Sequence, residues 1–153
     1  GKMMRIAYIL SFCLFASPSF AGVVDDDFKL SAAYSVAVVI LDDAKDGCWT
    51  NLRETREYAE EKLRSKGAKV VSEQRYLPNH YAFTISVLGY RTTIGCVADM
   101  EVELITGATI ENSNGDNIVH LGFAAREGRI INGYDKANNE VLNLVKRFID
   151  ELN

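Results

Sequence analysis

Asp99, Glu101 and Glu103 alternate with apolar residues in the run CVADMEVEL, which sets three carboxylates on one side of an extended strand. Same-face neighbours on a strand lie about 6.5–7 Å apart, a spacing that glycosidase carboxylate pairs can share. Glycosidase pairs flank a cleft, however, and do not normally sit side by side on a single strand. The row therefore reads better as a solvated sheet face, or as a docking strip for a basic partner. The two histidines, His80 and His120, have no companions at metal-ligand spacing, and a zinc site wants three or four ligands. His120 alternates with Val119 and Leu121 and reads as an ordinary strand residue. The chain has no HExxH, no GxSxG, no phosphate-cradling glycine loop and no EF-hand loop. Asn114-Gly115-Asp116 matches only a fragment of a calcium loop. The expectation is a protein without catalytic residues, metal or cofactor.

Arg75-Tyr76-Leu77-Pro78-Asn79-His80-Tyr81 is the other suggestive segment. It places Arg, Tyr and His on a Pro-stiffened loop, and aromatic and Arg side chains are frequent binding hot spots. Arg75, Tyr76, His80 and Tyr81 thus join Asp99, Glu101 and Glu103 as candidate binding residues. The competing reading tucks Tyr76 and Leu77 under the sheet, where they merely close the fold.

Compartment follows from the first residues. Lys2 and Arg5 precede the apolar run IAYILSFCLFA, and no acid occurs before Asp25. That run rises roughly 16 Å as a helix, too short for a membrane span, and Ser19 and Ala21 supply the small side chains of a cleavage site. Residues 1–21 are predicted to be a secretory signal peptide, cut before Gly22. Cys13 follows Phe12 inside the apolar run, so no lipobox is present, and no membrane anchor is expected after cleavage. Cleavage would remove two basic residues and no acid, taking the formal charge from −4 to −6. A chain of that sign repels phosphate backbones, so nucleic acid and anionic lipid surfaces are poor partners and no nucleic acid is expected. Periplasmic or secreted export also sets the redox state. Cys48 and Cys96 would remain, and an isolated pair in an oxidising compartment can form one intramolecular bridge. Trp49 beside Cys48 reads as a core anchor packed on that bridge.

Residues 22–33 read as a flexible lead-in, with Val23, Val24 or Phe28 docking on a single domain over 34–153. Tyr34–Leu41 is β-branched and apolar throughout, as a central strand requires. A charged helix starts near Thr50 or Asn51, with Asn51 and Glu54 at capping-box spacing, and Gly67 ends it. A short strand spans Ala68–Glu73. Tyr81–Tyr90 and Thr93–Ile105 form a long hairpin turning at Arg91-Thr92, and Thr106-Gly107 breaks its second strand. Asn114-Gly115 signals a further hairpin into a last strand, Asn117–Ala125. Arg126–Gly133 reads as a glycine-punctuated loop, and Asp135 as the N-cap of a final helix. In that helix Val141, Leu144, Val145, Phe148 and Leu152 make an apolar stripe. The order β-α-β-β-β-β-α predicts an α+β fold: a mostly antiparallel sheet of about five strands with two helices on one face.

In this order, YSVAVVIL before the first helix, the hairpin YAFTISVLGY with MEVELITG, and the closing helix together resemble small bacterial envelope α/β domains. The N-terminal domain of the Tol-system translocation protein and the penicillin-binding-protein activator lipoproteins are examples. This chain departs from the lipoproteins in lacking a lipobox. The resemblance implies an envelope-located binding module without catalysis. The expected function is accordingly an exported, non-enzymatic module that recognises another envelope or secreted protein, a basic one in particular. Inhibitor or immunity-type proteins are a subclass. The alternative is a small hydrolase or ligand carrier with a site assembled from distant residues, which a deep pocket holding His80 or His120 beside a carboxylate would favour.

Overall fold

In the computed structural model the described residues are 28–153. The predicted leader, its cleavage before Gly22, and Val23 and Val24 fall outside them. The chain forms β1 (Ser35–Ala44), α1 (Leu52–Ser65), β2 (Val70–Val71), β3 (His80–Thr92), β4 (Gly95–Glu111), β5 (Asn117–Tyr134) and α2 (Asn138–Glu151). The five strands make one sheet in the order β2-β1-β3-β4-β5. β1 pairs parallel with both β2 and β3, and the two longer ladders, β3–β4 and β4–β5, are antiparallel. This is the predicted α+β architecture, with β1 inside the sheet and the short β2 at its edge.

α1 and α2 pack on each other and on the same side of the sheet, α1 over β1 and α2 over β4 and β5. Strand alternation delivers the core to that side. Phe83, Ile85 and Val87 of β3 stand opposite Leu104, Val102 and Met100 of β4, and all six are buried. The stripe on α2 closes over them: Val141, Leu144, Val145, Phe148 and Ile149 are buried. The core also reaches back before residue 34. Phe28 docks as anticipated, its ring 5.1 Å from that of Tyr81 in an edge-on contact. Leu30 is fully buried too, and its amide donates to the Asn153 carbonyl at 2.8 Å, so the start of the described chain is stitched to its end.

Helix termini show where local signals suffice and where they do not. At the end of α1, Gly67 adopts φ +91°, and the Gly67 and Ala68 amides donate to the Arg64 and Leu63 carbonyls. These bonds are the Schellman pair that a C′ glycine permits. At its start the Asn51 amide bonds the Glu54 carboxylate at 3.1 Å, side chain to side chain, and Asn51 makes no side-chain cap to the backbone. α2 does not begin at an Asp135 cap. Its N-cap is Ala137, whose buried amide donates to the Cys48 carbonyl at 2.7 Å. Asn138 then holds Thr50 through two hydrogen bonds, so tertiary contact sets this boundary.

Three strand expectations also change. The β3–β4 turn falls at Thr93-Ile94, beyond Arg91-Thr92, because the pairing runs on to Thr92↔Gly95. β4 does not break at Thr106-Gly107; it absorbs a bulge between Leu104 and Ile105 and continues to Glu111. Arg126–Gly133 is strand rather than loop. Two of its inward side chains, Glu127 and Arg129, are charged instead of apolar because Arg147 and Glu140 of α2 pair with them; only Ile131 is an apolar core residue. An ion-paired strand lacks the apolar alternation by which strands are recognised.

The two helices are clamped at their ends by Asp150, which accepts from Lys62 of α1 at 2.7 Å and from Lys146 at 2.8 Å. The hydrogen bond from Lys146, then that from Lys62, hold the Asp150 carboxyl down to about 2 from its ordinary 3.8. A carboxyl depressed in the folded state stabilises the fold above its unfolded pKa, and that stabilisation fades as pH falls toward the folded value. Asp150→Asn should therefore melt below the parent at pH 5, with the gap narrowing sharply as pH falls toward 2. Melting curves at the two pH values check this; a gap independent of pH would refute it.

Candidate functional site

The side of the sheet away from the helices carries both predicted binding segments. Outward residues of β3 are Ala82, Thr84, Ser86, Leu88 and Tyr90, and those of β4 are Val97, Asp99, Glu101, Glu103 and Ile105. Across the next ladder stand Ile130 opposite Asp99, Gly128 opposite Glu101, and Arg126 opposite Glu103. The acidic strip is thus real as a row but not bare. Arg126 bonds Glu101 at 2.6 Å and Glu103 at 3.2 Å, and its guanidinium lies 5.9 Å from the centre of the Phe123 ring. Burial pushes the Glu103 carboxyl up, while Arg126 opposes that shift. The Arg126 guanidinium is held charged chiefly by its hydrogen bond to Glu101. Asp99 sits apart, exposed between Leu88 and Ile130.

Around this cluster the face exposes large apolar side chains. Leu88 is 64%, Tyr90 57%, Phe123 58% and Ile130 74% exposed. Leu41 on β1 and Leu121 on β5 extend the surface at either side. Strand register places Leu88, Asp99 and Ile130 in one row across three strands, with Glu101 one row away and Glu103–Arg126 the next.

The segment carrying Arg75, Tyr76, His80 and Tyr81 is divided by the structure. Residues 72–79 leave β2 and cross to β4, where the Tyr76 backbone lies so close to Gly107 that a Cβ there would meet the Tyr76 carbonyl oxygen at 2.7 Å. Only glycine admits this approach. The loop docks through its backbone, leaving Tyr76 and Leu77 about half exposed, so they do not tuck under the sheet. Beyond Asn79, which adopts φ +63°, Tyr81 turns to the core and meets Phe28, whereas His80 turns outward.

His80 faces a partner that the sequence reading missed. Its Nδ1 lies 2.6 Å from the Ser35 hydroxyl, because Ser35 and His80 are register partners at the start of the β1–β3 ladder. A parallel register across so long a separation in sequence leaves no local signal. Ser35 is 5% exposed, and the pair forms part of a cavity of about 280 Å3 that also includes Tyr34, Lys69, Glu73 and Arg75. A hydroxyl against an imidazole is the beginning of a nucleophile–base pair. A third group that orients the base completes such a site. Glu73 shares the cavity with His80, so the arrangement that favours the hydrolase or ligand-carrier alternative is present in part. Among the described residues, however, no carboxylate hydrogen-bonds to His80 to orient it as a base. His120 lies exposed on the far hairpin, opposite Ala108. Among the described residues no three His, Cys, Asp or Glu side chains gather to hold a metal ion, and no helix is long and apolar enough to cross a membrane.

Cys48 and Cys96 are bridged, with Cα atoms 5.7 Å apart. The bond ties the approach to α1 to the inward face of β4, and Trp49 is buried in the core beside it.

No protein-family model matches the chain, and no curated protein matches it. Among solved structures it is similar to the PelC dodecamer from Paraburkholderia phytofirmans, with 18% identity and a TM-score of 0.42 over 86% of this chain and 89% of that one. A single-substitution variant of the same PelC dodecamer gives 19% identity and a TM-score of 0.41, covering 86% of this chain and 90% of the other.

Proposed function

We propose that this protein is an exported, non-enzymatic binding module that holds a basic protein against the open face of its sheet. Leu88, Tyr90 and Ile130, each more than half exposed, carry the reading: they cluster at one end of this surface, with the equally exposed Phe123 beside Arg126 farther along it. Single exposed apolar residues are ordinary, whereas a group of them on one face marks an interaction site. Tyr and Arg are also the residue types that dominate interface energetics. Among the named β1, β3, β4 and β5 residues of this face, Asp43, Asp99, Glu101 and Glu103 outnumber Arg126, and that imbalance favours a basic partner and fast, salt-sensitive association. Export is supported by the leader-like first residues and by the Cys48–Cys96 bridge, which suits an oxidising compartment. The element order shared with small envelope domains is in keeping with this, and inhibitor or immunity-type proteins remain a subclass of the reading.

A photo-crosslinking residue placed at Ile130 should trap a basic exported protein in intact cells. The same residue at Arg53, on the outer face of α1, should not. Crosslinking from Arg53 with none from Ile130 would move the interface to the helices and overturn the proposal.

A further inference from the structure

We infer that the cavity between the 72–79 loop and the start of the β1–β3 ladder binds a small molecule through an oxyanion group, a carboxylate or a phosphate. This site is separate from the apolar part of the open face and does not depend on a protein partner. Its charge supports this. Lys69 and Arg75 line it against one carboxylate, Glu73, in a chain whose formal charge is −4. These cations are also unspent. Among the described residues Arg75 is the one arginine whose guanidinium has neither an ion pair nor a hydrogen bond. Arg53, Arg64, Arg91, Arg126, Arg129 and Arg147 each face a carboxylate, and Arg56 donates to the Val38 carbonyl. The Lys69 ammonium is likewise unpaired among the described residues. An Arg fork and a Lys point charge together suit carboxylate or phosphate oxygens.

The site is preorganised as well. Ser35 and His80 are fixed to each other at 2.6 Å in the cavity wall, and Ser35 is nearly inaccessible. When the Ser35 hydroxyl donates to Nδ1, Nε2 carries the imidazole hydrogen and becomes a donor. The loop over the cavity is anchored at its middle and its end: Gly107 receives the Tyr76 backbone, and the Asn79 carbonyl accepts from the Tyr34 amide at 2.8 Å. At about 280 Å3 the cavity is just below the usual range for small-molecule sites, so it suits a small ligand and not a polymer segment.

The test is an NMR titration of the disulfide-bonded protein with sodium acetate and with sodium phosphate, against sodium chloride at matched ionic strength. Saturable shifts of the Ser35, Val71, Ser72 and His80 amides with acetate, with phosphate or with both are expected, and none with chloride. Saturation by one anion alone assigns the carboxylate or the phosphate as the recognised group. Arg75→Gln should weaken that binding at least tenfold, whereas His120→Gln, on the far hairpin, should leave it unchanged. Shifts that stay linear with both anions, or an Arg75→Gln protein that binds as the parent does, would overturn the assignment. Because no partner protein is present, failure here leaves the open-face reading untouched.

Discussion

Phe148→Ala should lower the unfolding free energy by about 3–5 kcal/mol, the usual cost of truncating a large buried aromatic. Phe148 is 4% exposed and meets Phe83 edge-on, ring centres 5.6 Å apart. Phe83 is itself fully buried on β3, the central strand, so the cavity opens where both helices close over the sheet. The edge-on pair adds about 0.5–1.5 kcal/mol beyond area burial, and truncation loses that as well. Neighbouring Val145 and Ile149 are held by their own helix and cannot collapse fully into the gap. Urea unfolding of the variant and parent provides the check. A midpoint unchanged within error would mean that α2 does not seal the core.

The disulfide is the second large contributor. Replacing both Cys48 and Cys96 by alanine should cost roughly 4 kcal/mol on the chain-entropy model, since the bridge closes a loop across a sequence separation of 48. Both sulfur atoms belong to fully buried residues, so the substitution also removes packing beside Trp49. The effect should extend to the start of α2, because the Cys48 carbonyl accepts the Ala137 amide that caps that helix. Hydrogen exchange at Ala137 should accelerate in the double-alanine protein more than at Leu63, in the middle of the core. Equal unfolding midpoints for the parent and the double variant would contradict the stabilising role.

The sequence announced those features that rest on local chemistry. The apolar stripe of α2, the Gly67 stop, the Asn-Gly hairpin and the alternation of Cys96 to Leu104 each encode their structure within a few residues. The pairing of Cys48 with Cys96 followed from counting. Features set by distant partners were hidden. β5 continues through Arg126–Gly133 because Glu127 and Arg129 find opposite charges on α2, and a run of charges and glycines resembles a loop when those partners are out of view. The start of α2 depends on Cys48 and Thr50, and so drifts two residues from the Asp135 cap signal.

The candidate site divides in the same way. Alternation correctly grouped Asp99, Glu101 and Glu103, but Arg126, which bridges two of them, lies in the segment taken for a loop. Exposure of Leu88, Tyr90 and Ile130 was not legible, because alternating apolar residues ordinarily mark a buried face and here occupy both faces of the strand. Ser35 sat within an apolar strand with no hint that the 72–79 loop would bring His80 beside it. Tyr81, grouped with the binding loop, belongs to the core side, since one step along a strand reverses the face.

Binding of a basic protein to the open face is tested most directly by the affinity of the captured partner for the double variant Leu88→Ser/Ile130→Ser. These two side chains flank Asp99 in a single row and pack against nothing in the core, so the variant should melt like the parent. Loss of two interface anchors should weaken binding at least about tenfold, mainly through faster dissociation. An Arg53→Ser control on α1 should bind unchanged. Parent-like affinity in the folded double variant would show that the partner is held elsewhere, and the open-face account would be wrong.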